Sequence, residues 1–478
     1  MSITASELEL CFMSIAELSQ KLRGCEISPV DVTQAMLRRI DRHNEQMRVY
    51  ITVTRDQALA QARQAEQEIN AGNYRGPLHG VTVSLKDNIS TRGVRTSCAS
   101  MVNTNWVPDE DATVYRKLRE AGAILVGKAN LNEYAFSMNP SFPPPLNPWR
   151  FDRTPAGSSS GSGVGVAAGM VHGSIGSDTG GSGRAPAKAN GCVGFKATYG
   201  RVSRWGVFPL SYSLDHTTMM TRSVRDSALM LQAASGYDTR DENSLEAPVP
   251  DFSAKIGTAV SGMRIAIARG HTYQDVDEDV MGMVRNAAAT FQSLGAKVEH
   301  VRLPYVEYCL DTYAATMNPE AAVIHYHNLR NSAEGFGAMA RSRLDLGNII
   351  PATAYVHAQS VRKLMRDGLR KVFQSYDLII GPTAPTITGE AGALSQMVNG
   401  REVNNRDLED GYTNYYNLTG VPAIVLPGGF SHENTPIGLQ IAGSWFDEAT
   451  IFQAAYAYEQ ATAWHTRRPP YPQEHETN

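Results

Sequence analysis

Apolar positions change their period along this chain. Val32, Ala35, Met36 and Ile40 recur at helical spacing and residues 56–69 are rich in Ala, Gln and Glu, so residues 1–70 read as an N-terminal helical segment, with helices expected from about residue 5. From Gly80 the pattern switches. Val81, Val83 and Leu85 alternate with Thr82, Ser84 and Lys86, which predicts a strand with Lys86 emerging on its polar face. Residues 161–170 read as a short helix or extended apolar segment, and residues 171–177 as a buried strand. Further strands are expected at 263–268, 297–301, 378–380 and 423–426, interleaved with helical runs at 279–294 and 450–460. This alternation argues for an α/β fold. The proline-rich stretch 140–148 reads as a rigid loop placed to wall an entrance, rather than as a recognition ligand.

Composition narrows the class. At 478 residues the chain exceeds the roughly 250–300 at which single cores usually stop growing, so two domains or one large unit are open. Its 44 Lys plus Arg against 48 Asp plus Glu give a formal net charge of −4 with no basic block, which argues against a nucleic-acid partner. No apolar run approaches the roughly 20 residues of a spanning helix, and no leader pattern opens the chain, so no membrane partner and a cytoplasmic soluble enzyme are expected. Five scattered cysteines without a C-x-x-C pair indicate neither disulfides nor a metal site. Cys98 and Cys192 are expected to be buried apolar residues.

Candidate chemistry concentrates between Thr154 and Arg201, where Ser and Gly are dense on either side of an apolar stretch. A flexible linker would not carry Val164, Val166, Ala167, Met170 and Ile175. Ser158, Ser159 and Ser160 stand at the mouth of the first turn. In the second, Asp178-Thr-Gly-Gly-Ser182, the glycines expose successive N–H groups that suit an oxyanion, which makes Ser182 the candidate nucleophile. A serine needs a base. His172 and His216 lie in no motif connected to Ser182 and read as ordinary imidazoles, and no G-x-S-x-G elbow occurs. Lysine is the remaining option, and Lys86 would need burial or neighbouring positive charge to be neutral near pH 7.

The strings V-S-L-K-D-N (83–88), A-G-S-S-S-G-S (156–162), G-S-D-T-G-G-S-G-R-A-P-A (176–187) and G-F-K-A-T-Y-G-R-V-S (194–203) resemble the amidase signature family. So do further landmarks in order, including G-K-A-N-L-N-E (127–133), S-L-D-H (213–216) and N-L-T-G-V-P (417–422). The resemblance implies one large α/β amidase-signature domain over residues 71–478, with a mixed sheet flanked by helices and a signature core at about 80–230. It implies a Ser–cis-Ser–Lys relay with Ser182 as nucleophile, Ser158 as bridge and Lys86 as base. It further implies an oxyanion hole of the Thr179, Gly180, Gly181 and Ser182 N–H groups, with Asp178 and Arg184 holding the loop. No cofactor or metal has a role. Ala156, Ser160, Gly183 and Ala197 depart from the family pattern, and side-chain volume suggests that Gly183 and Ser160 enlarge or polarise space beside the nucleophile. Tyr134, Met138, Phe142 and residues 305–327 are further candidates for the pocket.

The leading functional expectation is a stand-alone amidohydrolase acting on a small-molecule amide. The second is the glutaminase subunit of a tRNA-dependent amidotransferase, working with partner chains; Y-A-F-S-M-N-P-S-F-P-P-P after Glu133 departs from the run expected of such a component. Carbamates, ureas and esters suit the same acyl chemistry. A silent scaffold protein is disfavoured, because Lys86, Ser158, Ser182 and the Gly-rich turn are retained together. A homodimer is compatible with an enzyme of this kind.

Overall fold

Helix signals in the first residues are strong. Ser14 forms a reciprocal capping box with Glu17, and Ser28 accepts from the N–H groups of Val30 and Asp31 with Pro29 opening the helix behind it. The computed structural model describes residues 5–270, 273, 275–404 and 411–472. Its helices are α1 (Ala5–Phe12), α2 (Ile15–Arg23), α3 (Pro29–Met47), α4 (Arg55–Asn70), α5 (Thr113–Glu120), α6 (Ser160–Ala167), α7 (Arg184–Asn190) and α8 (Val224–Ala234), followed by α9 (Glu278–Ser293), α10 (Cys309–Ile324), α11 (Tyr326–Asn331), α12 (Ala338–Ile349), α13 (Ala352–Ser375), α14 (Asn414–Thr419) and α15 (Glu448–Thr462). The strands are β1 (Tyr50–Val53), β2 (Thr82–Lys86), β3 (Ile124–Ala129), β4 (Gly173–Asp178), β5 (Val193–Lys196), β6 (His216–Thr221), β7 (Arg264–Arg269), β8 (Lys297–Arg302), β9 (Leu378–Pro382), β10 (Ser395–Val398), β11 (Arg401–Asn404), β12 (Ala423–Phe430) and β13 (Pro436–Gly443).

Eleven of these strands form one mixed sheet in the order β1-β3-β2-β4-β6-β5-β12-β13-β9-β7-β8, and β10 and β11 form a separate hairpin. The fold is mixed α/β, as the alternation of elements implied. Within the first seventy residues the helices are interrupted by β1, which pairs antiparallel with β3 at the sheet edge. Side chains of both sheet faces are covered. Val83, Leu85, Leu125 and Ile175 pack with Leu18, Leu22 and Leu231, whereas Ile124 and Val126 belong to a second cluster with Met36, Ile40 and Val166.

The polar face of β2 is not solvated: all five residues of the strand are buried, and Thr82, Ser84 and Lys86 find hydrogen-bond partners inside the protein. Thr82 Oγ1 lies 2.7 Å from His172 Nδ1, and Ser84 donates to Ser174 Oγ at 2.8 Å. Because β2 and β4 are parallel neighbours, with Leu85 opposite Ile175, their C-terminal residues Lys86, Ser177 and Asp178 come out side by side. The carboxyl ends of such strands are where open α/β sheets place their ligands.

Candidate active site

Four segments meet at the ends of β2 and β4. Lys86 closes β2, Ser158 precedes α6, Ser177 and Asp178 close β4, and Ser182 stands two residues before α7. Close backbone approach makes this possible. A Cβ at Gly157 would lie 2.7 Å from Asn132 Nδ2, and one at Gly161 2.5 Å from Asn130 N, so only glycine lets this turn settle onto the 130–132 segment. The peptide bond between Gly157 and Ser158 is cis. The Ser158 carbonyl accepts from Asn132 N–H at 3.1 Å, and the Ser182 carbonyl accepts from Ser159 N–H at 3.0 Å, which ties the two serine turns together.

Lys86 is fully buried and donates to Ser158 Oγ at 2.6 Å and to Ser177 Oγ at 2.8 Å. Burial lowers its ammonium to about 7, against the opposing fields of Asp178, Asp215 and Cys98. Ser177 also accepts from Asn88 Nδ2 at 3.3 Å. Lys86 and Ser158 are thus in direct hydrogen bond, and Ser182 is joined to the adjoining Ser159 through its carbonyl. Ser177 is a second hydrogen-bond partner of Lys86 that the motif string contained but gave no reason to single out.

The turn after β4 is held from below. Asp178 accepts from Arg184 Nε and Nη2, each at 3.0 Å, from Asn417 Nδ2 at 2.8 Å, and from the N–H groups of Gly181 at 2.8 Å and Gly183 at 3.2 Å. Burial works to raise the Asp178 carboxyl, but the Arg184 charge and these hydrogen bonds hold it well below the usual carboxylate range. Arg184 continues to Gln440 Oε1 at 2.8 Å, the Thr413 carbonyl at 2.9 Å and Asn417 Oδ1 at 2.6 Å. From the other side, Thr413 donates to the Gly180 carbonyl at 2.7 Å and Thr179 to Asp215 at 2.6 Å. Asp178 and Arg184 therefore support the loop and are themselves buried away from the cavity.

Among the described residues, no acceptor meets the N–H groups of Thr179, Gly180 and Ser182. Gly181 is different: its N–H is taken by Asp178, which removes it from the expected set of four donors. Its φ of +131° and the 2.2 Å that would separate an added Cβ from Thr413 Oγ1 explain the glycine instead. The hydroxyl of Tyr313 would lie 2.3 Å from a Cβ at Gly180, so one residue of the 305–327 region does face the turn.

Of the pocket candidates, Met138 lines a cavity of about 370 Å³ that also touches Gly157, Ala185 and Thr413, whereas Phe142 is not among its lining residues. Pro144, Pro145 and Leu146, from the proline-rich loop, form part of its wall. Tyr134 is buried among Phe208, His325 and Phe336, with ring centroids 4.4–5.6 Å away. Ser160 is the buried first residue of α6 and its hydroxyl has no hydrogen-bond partner. Gly183 does not enlarge the site. A Cβ there would come 2.4 Å from Thr218 Oγ1, so the room that a larger residue would need is already filled by β6. His172 and His216 are buried by the sheet, and burial lowers both imidazoles.

The family model for amidases matches residues 31–452. The A subunit of glutamyl-tRNA(Gln) amidotransferase from Geobacter sp. (strain M21) is 40% identical over 97% of this chain and 100% of its own length. Among solved structures, one from a vestigial protein complex that reveals the evolutionary origins of an s-triazine catabolic enzyme superposes with a TM-score of 0.90 at 28% identity, covering 94% of this chain and 99% of the other. The A subunit of glutamyl-tRNA(Gln) amidotransferase from Thermotoga maritima superposes with a TM-score of 0.79 at 34% identity, covering 96% of each chain.

Proposed function

The chain belongs to the amidase signature family of C–N hydrolases, and from that premise we propose that it cleaves a carboxamide through an acyl-enzyme on Ser182, with Ser158 and Lys86 as the proton relay. The observation that carries this reading is the buried Lys86, near neutrality and 2.6 Å from Ser158 Oγ, beside a turn with unpartnered N–H groups. Neutral Lys86 draws a proton through Ser158 from Ser182, whose oxygen attacks the carbonyl carbon. The N–H groups of Thr179, Gly180 and Ser182 receive the developing oxyanion. The relay returns the proton to the leaving nitrogen, and water activated by the same relay then hydrolyses the ester and regenerates Ser182.

Two readings of the amide remain, and the relatives weigh toward the one placed second by the sequence alone. Identity of 40% over essentially the whole length of an amidotransferase component favours glutamine as the ammonia donor, with partner chains, in the cytoplasm. The stand-alone amidohydrolase is favoured by the sequence after Glu133, which departs from the run expected of an amidotransferase component. Ammonia release by the purified chain from glutamine and from a panel of primary amides separates them. Wild type is expected to release ammonia and the Ser182→Ala variant none. Glutamine preference with a co-purifying partner selects the amidotransferase component, and turnover of other amides by the chain alone selects the hydrolase.

A further inference from the structure

The cavity that begins at Gly157 and Ala185 carries a charge pattern that the relay does not use. Three cations line it, Arg48, Arg153 and Lys188, and among its described lining residues there is no Asp or Glu. This is local, since the whole chain carries a formal charge of −4. Arg153 is committed to Glu433, its Nη2 2.7 Å from Oε2. Arg48 is not so committed: its Nε is buried without a hydrogen-bond partner.

Lys188 is the sharper case. It lies on α7, the helix that opens just after Ser182, and only 9% of its surface is exposed. Its stem packs against β13, where a Cβ at Gly438 would come 2.8 Å from Lys188 Cβ. Among the described residues it makes no hydrogen bond or ion pair. Lys86, Lys128 and Lys196, the other deeply buried lysines, each donate to protein oxygens at 2.6–2.8 Å. Burial lowers the Lys188 ammonium to about 8, with Asp277 opposing, so it stays largely protonated at neutral pH. Thr388, on the same cavity, has a buried hydroxyl that is also without a partner. Buried polar groups are ordinarily satisfied, and a buried ammonium without a counter-charge is costly. A cavity lined by Lys188 without a partner among the described residues, by the Arg48 guanidinium and by the Thr388 hydroxyl, with no Asp or Glu among its described lining residues, is complementary to a planar anion with two acceptor oxygens.

We propose that Lys188 determines specificity by binding a carboxylate on the substrate, so that the preferred substrates are amides that also carry a carboxylate group. The inference rests on Ser182 being the nucleophile beside this cavity. Arg48 at the cavity wall and the Thr388 hydroxyl complete the site.

The test uses the full chain as its Ser182→Ala variant, so that binding is read without turnover. Dissociation constants are measured by calorimetry for malonamate, succinamate and glutaramate against the neutral amides propanamide, butanamide and pentanamide. At least one carboxylate-bearing amide is expected to bind ten times or more tighter than its neutral counterpart. Adding Lys188→Met should abolish that preference while leaving the neutral amides unchanged, and Lys188→Arg should retain part of it. Equal binding of the charged and neutral series, or a preference that survives Lys188→Met, overturns the proposal. Should Lys188→Met fail to fold, Thr388→Val and Arg48→Gln take its place: each should weaken the charged series alone by threefold or more, and no change in both overturns the proposal. Wild-type turnover is followed separately. Silence on every amide with the anion preference intact counts against the hydrolase reading and supports the site, whereas turnover without any preference counts against the site alone.

Discussion

Lys86 sets the chemistry at the scale of single residues. The relay needs its neutral form, and burial holds it at about 7, so kcat/KM is expected to rise with pH through about 7 and then level off, a profile that a rate-against-pH series reads directly. The same burial has a stability consequence with a definite sign. Below about pH 7 Lys86 is charged in both folded and unfolded chains and the folded state carries the full penalty; the penalty shrinks as pH rises toward the ordinary lysine value of 10.5. Replacing Lys86 by Met should therefore abolish turnover yet raise the unfolding free energy measured by urea denaturation at pH 6, by on the order of a few kcal/mol at about 1.4 kcal/mol for each unit by which the pKa is lowered. That gain should fade toward pH 10. Ser177→Ala removes an acceptor from the ammonium, so the midpoint of the kcat/KM profile should move to lower pH, with the maximum rate reduced about tenfold. Lys86 and Ser182 could be named as candidates from the sequence because each lies in a dense motif, and Ser158 was singled out by the family resemblance. Ser177 was not, because its role depends on β2 and β4 lying side by side, a long-range pairing that no local spacing records. Lys188 escaped for a related reason: what distinguishes it is the absence of a partner among the described residues.

Among elements, β2 shows how far periodicity reaches. Its alternation gave the strand and put Lys86 on the polar face, but it carries no record that this face is covered, with Thr82 and Ser84 finding partners inside the protein. Periodicity reports side-chain type and cannot tell a wet polar face from an internally hydrogen-bonded one. The other strands that were read, β4, β7, β8, β9 and β12, and the helices α9 and α15 lie within a few residues of their expected places, because strongly apolar runs bounded by turn residues leave little choice, whereas β3, β5, β6, β13 and α10–α13 were not read. The turn after β4 illustrates what sequence volume alone cannot settle. Gly183 suggested open space, and the structure fills that space with Thr218. Gly183→Ile should accordingly destabilise the protein and cut kcat for small and bulky amides alike, which a ratio of the two rates would show by staying constant. Removing Asp178 leaves Arg184 buried without its carboxylate, so Asp178→Ala should cost about 3–5 kcal/mol in chemical denaturation.

For the whole molecule, one mixed sheet brings segments from residue 86 to residue 440 to a single site, and the family resemblance read from four short strings extends over residues 31–452. The choice between a partnered glutaminase and a stand-alone hydrolase belongs to this scale. It depends on surfaces and partners that motif strings do not encode, and co-purification decides it. The chemistry common to both readings can be tested without knowing the substrate. A fluorophosphonate probe that labels activated serines should modify the intact chain once, with the adduct mapped by peptide mass to Ser182, and labelling should fall at least a hundredfold in Lys86→Ala protein that remains folded. Labelling at another serine, or undiminished labelling of Ser182 without Lys86, would contradict the relay.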